Sequence, residues 1–207
     1  MRQTWSKWRA FSPMPISTCD KLRAIARFCD CTFCGHSFRQ SPMTITSPKY
    51  AAAEIERRWL VDISMLGSLT DLPKRKIEDR YIAATHMRLR KVSADGQATI
   101  FKLGKKYGKS ETACTEQVVS IYLSEVEFNT IAVLPGTNAT KLRYAVADGS
   151  LDVYESPNAG LAIFEIEFAS QDDATSYTPP AFADQEITHD PRYSGFALSQ
   201  VMVDLHN

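Results

Sequence analysis

Between Tyr50 and Phe168, apolar and polar residues alternate in short runs separated by Gly, Pro, Asp and Ser. Strict alternation of this kind marks a β-strand with two unlike faces. It predicts strands over 53–61, 79–91, 98–104, 115–123, 140–147, 150–155 and 161–169. Asp95-Gly96 and Asp148-Gly149 fall between such runs and read as hairpin turns. The segment 123–134 changes to helical spacing, with Ser124 as N-cap and Glu127 three residues on, a capping box. Asp71–Ile77 reads as a turn or short helix, Tyr177-Thr-Pro-Pro-Ala as an irregular link, and 197–205 as a last helix. No internal repeat is visible.

The polar positions within these strands are charged, and many come in pairs. Glu54, Glu56 and Arg58 share one face of the first run, with Ile55, Arg57 and Trp59 on the other. Arg88 and Arg90 flank Leu89, Lys141 and Arg143 flank Leu142, and Glu165 and Glu167 flank Ile166. Lys102 stands between Phe101 and Leu103, and Asp152 between Leu151 and Val153. One such segment would be a half-buried strand with a wet face. A series with both signs, rich in Arg and Glu, suggests a closed antiparallel barrel, charged inside and apolar outside. The predicted class is α+β, mainly β: an eight-stranded tunnel with helices packed outside. Charges enclosed in that way need water, metal or a polyanion among them.

Composition narrows the picture. The chain has 207 residues, 44% of them apolar, and a formal net charge of zero, which argues against a general nucleic-acid binder. No apolar run approaches the roughly 18 residues of a membrane-spanning helix. The N-terminus lacks a signal-peptide pattern. Four of the five cysteines crowd into Cys19–Cys34, unlike a secreted disulfide framework, so a cytoplasmic location is expected. Residues 1–48 are basic and weakly patterned. They are expected to be a disordered extension, or upstream sequence from a mis-assigned start with Met43 as the natural beginning; 49–207 form the folded domain. Cys29, Cys31, Cys34 and His36 have the right chemistry for zinc but lack a spaced second ligand pair.

Three further features carry little weight. Gly104-Lys-Lys-Tyr-Gly108-Lys109-Ser110 resembles a phosphate loop but is one residue short, and no helix follows. Lys105, Lys106 and Lys109 therefore read as a solvated loop. Cys114 shows no partner histidine for nucleophilic work, and His86 and His189 read as ordinary side chains.

The series resembles a known family. Glu54-Ile-Glu-Arg-Arg58 is similar to the E-x-E-x-K signature of the CYTH superfamily, the triphosphate tunnel metalloenzymes. The later elements follow in the family's order: Arg88-Leu-Arg90, Thr99-Ile-Phe-Lys102, Lys141-Leu-Arg143, Leu151-Asp152, Glu165-Ile-Glu167, and Glu186 through Asp190 to Tyr193. The resemblance spans about 51–200. Two positions depart from it. Arg58 replaces the usual Lys, a planar fork in place of a compact ammonium. Where many members carry R-x-E-x-E, only Glu116 is a counterpart.

The resemblance implies a divalent-metal-dependent hydrolase acting on inorganic tripolyphosphate or a simple organic triphosphate. A class IV-type adenylate cyclase or a non-catalytic polyphosphate-binding module are the alternatives. Glu54, Glu56, Glu165 and Glu167 are the expected ligands of Mg²⁺ or Mn²⁺, as hard oxygen donors. Arg58, Arg88, Arg90, Lys102, Lys141 and Arg143 are the expected phosphate-binding residues. Arg58, Glu54 and Glu56 carry the catalysis; Glu116, Asp152, Glu186 and Asp190 are secondary candidates. The partner is a small-molecule triphosphate, with no nucleic acid or membrane, and with room for a homodimer.

Overall fold

The strands form one antiparallel sheet: β1 (Ala52–Val61), β2 (Lys74–Ile82), β3 (Met87–Ser93), β4 (Ile100–Lys109), β5 (Thr115–Leu123), β6 (Gly136–Val146), β7 (Gly149–Ser156), β8 (Ala162–Phe168) and β9 (Ala183–Glu186). Their order is β5-β4-β3-β2-β6-β7-β8-β1-β9. β1 also pairs with β5, Ala52 opposite Val118 and Glu54 opposite Glu116. That pairing closes β1–β8 into a barrel, and β9 is an annex on the far half of β1. The helices are α1 (Glu125–Ala132), α2 (Gln171–Ser176) and α3 (Gly195–Gln200). This computed structural model describes residues 48–109 and 114–201. The N-terminal 1–47, with the Cys29–His36 cluster, and the tail beyond Val201 lie outside them.

The helix cap is as the sequence predicts: Ser124 accepts from the Glu127 amide, and Glu127 reaches back to the Ser124 amide at 2.7 Å. Three expectations change. The run 79–91 is two strands, folded back through a turn in which Ala84 takes φ +58°. Lys74–Ile77 is strand rather than turn or helix, because it pairs with Tyr144–Lys141 of β6. The lysine-rich stretch Gly104–Lys109 is strand rather than loop, held between β3 and β5. Pairing with neighbouring strands overrides weak local preference in both cases.

The outer faces carry much of the apolar packing. Trp59, Phe164 and Ile166 are buried beneath Tyr177 and Phe182, and Tyr144, Leu151 and Ala162 beneath Ile63, Leu66 and Leu69. Phe101 meets Phe128 of α1 with ring centroids 4.8 Å apart. Burying each such side chain contributes about 1.5–3 kcal/mol.

The inner faces change character along the barrel. A third apolar cluster joins Ala139, Tyr154 and Ile163, and the half-buried Leu60 and Tyr81, to Ile187, Tyr193 and Leu198. Ala139 shares a strand face with Lys141, Tyr154 with Asp152, and Ile163 with Glu165. The C-terminal segment therefore enters the same interior as the charges, whereas α1 and α2 pack on the outer wall. The fit is close: a Cβ at Gly195 would stand 2.0 Å from the Tyr81 hydroxyl.

Candidate active site

Ion pairs that skip a strand show which faces share the interior. Arg143 on β6 reaches Glu165 on β8 across β7, at 3.0 Å. Lys106 on β4 lies 3.9 Å from Glu54 on β1, across β5. Strands can make such contacts only from one concave surface.

The basic side is built around two buried aspartates. Arg90 holds Asp79 with two hydrogen bonds of 2.6 and 2.7 Å, and the Arg88 Nε lies 3.7 Å away. Burial alone would raise the Asp79 pKa, but the charges of Arg90 and Arg88 outweigh it and hold it at about 2. Asp152, 1% exposed, takes Lys141 and two hydrogen bonds from Arg143. Burial again opposes ionisation and the two cations again win, keeping Asp152 well below the usual carboxylate range. Asp79 was missed in the sequence because Glu78 sits beside it in a charge-dense run. Its alternation with Ile77 and Tyr81 is the signal that singles it out.

The acidic side is set by register. Glu54 lies opposite Glu116, and Glu56 opposite Glu167. Directly opposed like charges are destabilising unless a cation intervenes. Burial pushes the Glu54 pKa up; Lys106 opposes this, and the charges of Glu56 and Glu167 add to it. Lys106, read from sequence as a solvated loop residue, donates to Glu116 at 2.6 Å. Glu165 stands apart from this group in its contacts, bound to Arg143 and 3.8 Å from the Arg58 Nε.

Arg58 joins the charged zone to the apolar one. Its Nη1 donates to the Tyr193 carbonyl at 2.9 Å. Burial works against its charge, but Glu165 and the other acids around it raise its pKa, so it stays a cation. Its Nε is the one buried side-chain polar atom among the described residues without a hydrogen-bond partner. Such an orphan costs about 1–3 kcal/mol, which an incoming anion would recover. Lys102 lies on the interior register opposite Arg90, its ammonium 4.8 Å over the Tyr122 ring.

Two secondary candidates lie elsewhere. Glu186 is on the outer side, where it takes two bonds from Arg57 and one from Thr188. Arg57 also donates to the carbonyls of Ala174 and Tyr177, so this is a clasp tying β9 and α2 to β1. Asp190 caps the turn Pro191–Tyr193 through the Arg192 amide and grips the Arg192 side chain. Cys114 does have a histidine neighbour: His189 Nε2 is 3.8 Å from its Sγ, a pairing that loop closure creates and sequence distance hides.

A hard divalent cation suits this donor set. Besides the Lys106 ammonium, the acidic side offers carboxylates, set in opposed pairs. Among the described residues no three ligating groups are gathered closely enough to hold a metal unaided. Mg²⁺ takes one or two carboxylates and completes its shell with substrate oxygens and water, so the site fits an ion arriving with a polyphosphate. A cavity of about 260 Å³ is lined by Arg143, Asp148, Gly149, Ser150, Glu165 and Glu167. Among the described residues, no helix is long and apolar enough to cross a membrane.

No family model matches the chain. A curated relative from Nitrosomonas europaea, an inorganic triphosphatase, is 30% identical over 156 residues, spanning 70% of this chain and 96% of the relative. The solved structure of the inorganic triphosphatase NE1496 is 28% identical, with a TM-score of 0.46, over 72% of this chain and 95% of that one. A further structure of NE1496, described as a hypothetical protein, gives 25% identity and a TM-score of 0.48 over 72% and 99%.

Proposed function

We infer that this chain, which belongs to the CYTH superfamily of triphosphate tunnel metalloenzymes, hydrolyses inorganic tripolyphosphate or a simple organic triphosphate and releases orthophosphate. The observation that carries this reading is the division of one enclosed interior. Arg88, Arg90, Lys141 and Arg143 stand on β3 and β6, and Glu54, Glu56, Glu116 and Glu167 on β1, β5 and β8. A triphosphate bears about four negative charges and needs the first group; its metal ion needs the second.

The chain's own residues divide the work. Arg88, Lys141, Arg143 and Lys102 bind the phosphate oxygens. The equatorial oxygens gather charge as the phosphoryl group transfers, and fixed cations stabilise that change without reorganising. Arg90 is committed to Asp79, the carboxylate that also faces Arg88 at 3.7 Å. Arg58, whose Nε makes no hydrogen bond within the chain, faces the same oxygens. Glu56 and Glu167 would hold Mg²⁺ or Mn²⁺, with substrate oxygens and water completing its shell. When bound, the ion neutralises phosphate charge and lowers the pKa of a coordinated water. Glu165, bound by two arginines, positions them. Glu54, whose pKa burial pushes up, is the proposed proton acceptor.

The test is phosphate release from tripolyphosphate, ATP and thiamine triphosphate, with Mg²⁺ or Mn²⁺. Tripolyphosphate is expected to turn over fastest, and Glu56→Gln to lower kcat at least about 100-fold by weakening the metal site. Cyclic AMP and pyrophosphate from ATP would instead make the chain a cyclase. Unchanged turnover in Glu56→Gln would remove β1 from the chemistry.

A further inference from the structure

Lys106 stands where an ammonium is least expected from the sequence and most useful in the fold. β4 pairs with β5 so that Lys106 lies opposite Val118, one inward position along from Glu116. Val118 is buried and apolar, so it gives this part of the interior no charge of its own. The Lys106 side chain crosses it to donate to Glu116 at 2.6 Å, and its Nζ stays 3.9 Å from Glu54. Glu116 and Glu54 are directly opposed across β5 and β1, so one ammonium neutralises a cross-strand pair that would otherwise repel. The charges of Glu56 and Arg88 also act on Lys106, which places it where the acidic and basic sides meet.

We propose that Lys106 is a built-in counter-cation of the acidic side, occupying by its ammonium a position that a divalent ion would otherwise take. The inference rests on the metal-dependent reading given above and adds to it. With Glu116 and part of Glu54 already neutralised, the interior recruits its divalent ion to the Glu56–Glu167 side alone. The ammonium keeps the opposed glutamates folded together when no ion is present. It also limits the affinity for free metal, so that metal binds together with the polyphosphate.

The experiment measures Mn²⁺ binding to the full chain by electron paramagnetic resonance, without substrate, alongside thermal melting in EDTA. Lys106→Met removes the charge and keeps the length; Lys106→Arg keeps the charge. Lys106→Met should bind Mn²⁺ about tenfold more tightly or better, since one positive charge within a few ångströms of the ion is gone. It should also melt several degrees lower in EDTA, with the deficit closed by saturating Mn²⁺. Lys106→Arg should retain wild-type values in both measurements. Equal or weaker Mn²⁺ binding by Lys106→Met would overturn the proposal, as would a Lys106→Arg chain that behaves like Lys106→Met. Tripolyphosphate turnover by the wild type is followed in parallel. Turnover without a shift in Mn²⁺ affinity rejects the role of Lys106 and keeps the hydrolase; a shift without turnover does the reverse.

Discussion

Arg143 grips Asp152 with two hydrogen bonds, Nε to Oδ1 at 2.6 Å and Nη2 to Oδ2 at 2.7 Å. The pair is cross-strand register made chemical, since the two residues lie opposite each other on β6 and β7. Lys141 binds the same carboxylate from two residues away on β6. Asp152 therefore fixes at once two cations proposed to bind phosphate. Asp152→Asn is expected to lower unfolding stability by about 3 kcal/mol, because buried cations lose their counter-charge. The KM for tripolyphosphate should rise together with that loss. Urea denaturation and steady-state kinetics check both, and a stability change under about 0.5 kcal/mol would show that Asp152 is no anchor.

Asp79 makes a prediction in pH. Its pKa falls from 3.8 unfolded to about 2 folded, so the folded state favours the ionised form. The stability it contributes is fully present above about pH 4 and drains away as pH falls through 2. The amount is about 2 kcal/mol. Replacing it in Asp79→Asn should remove that dependence: the variant is less stable at pH 5 but loses less between pH 5 and pH 2.5. Parallel acid limbs for variant and wild type, by denaturant melts at each pH, would contradict the assignment.

Arg88 and Arg90 should separate by function although the sequence treats them as a pair. Arg90 is spent on Asp79, whereas Arg88 is more exposed and makes a looser ion pair with the same carboxylate. Arg88→Ala should raise KM about tenfold or more with a modest stability cost, from loss of a charge-assisted phosphate contact. Arg90→Ala should act mainly on stability, leaving Asp79 buried and under-neutralised. The reverse ranking in kinetics and melting would exchange their roles.

The Arg57–Glu186 clasp supplies a control. Glu186→Ala opens two guanidinium hydrogen bonds on the outer side of β1. The carboxylate is partly exposed, so solvent screening limits the loss to about 1 kcal/mol. Turnover per folded molecule should stay at the wild-type value. A collapse in kcat at full occupancy of the folded state would bring Glu186 back into the site.

What could be read from the chain was whatever alternation alone determines. Glu54, Glu56 and Arg58 declare their common face because they alternate with Ile55, Arg57 and Trp59 on a strand long enough to show the period. The same holds for Arg88, Arg143 and Glu167. Lys106 was hidden by its neighbours, since Gly104, Gly108 and three lysines imitate a loop until two flanking strands impose their pairing. Asp152 could be placed inside, but its commitment to Arg143 and Lys141 depends on the β6–β7 register, which no local pattern states. The contribution of Ile187, Tyr193 and Leu198 to the interior was illegible for a different reason. They come from short, irregular segments with no period, and only the closed barrel gives them a common destination.

The bond from Arg58 to the Tyr193 carbonyl ties a side chain proposed for the chemistry to a distant stretch of main chain. The guanidinium sits on the first strand, yet its aim is set by main chain laid down about 135 residues later. Any event that lifts the segment around Tyr193 away from the barrel, whether a protease cut or a partner pulling on it, would change the aim of this arginine. Damage far from the phosphate would then register as a chemical defect, with the rest of the wall still standing.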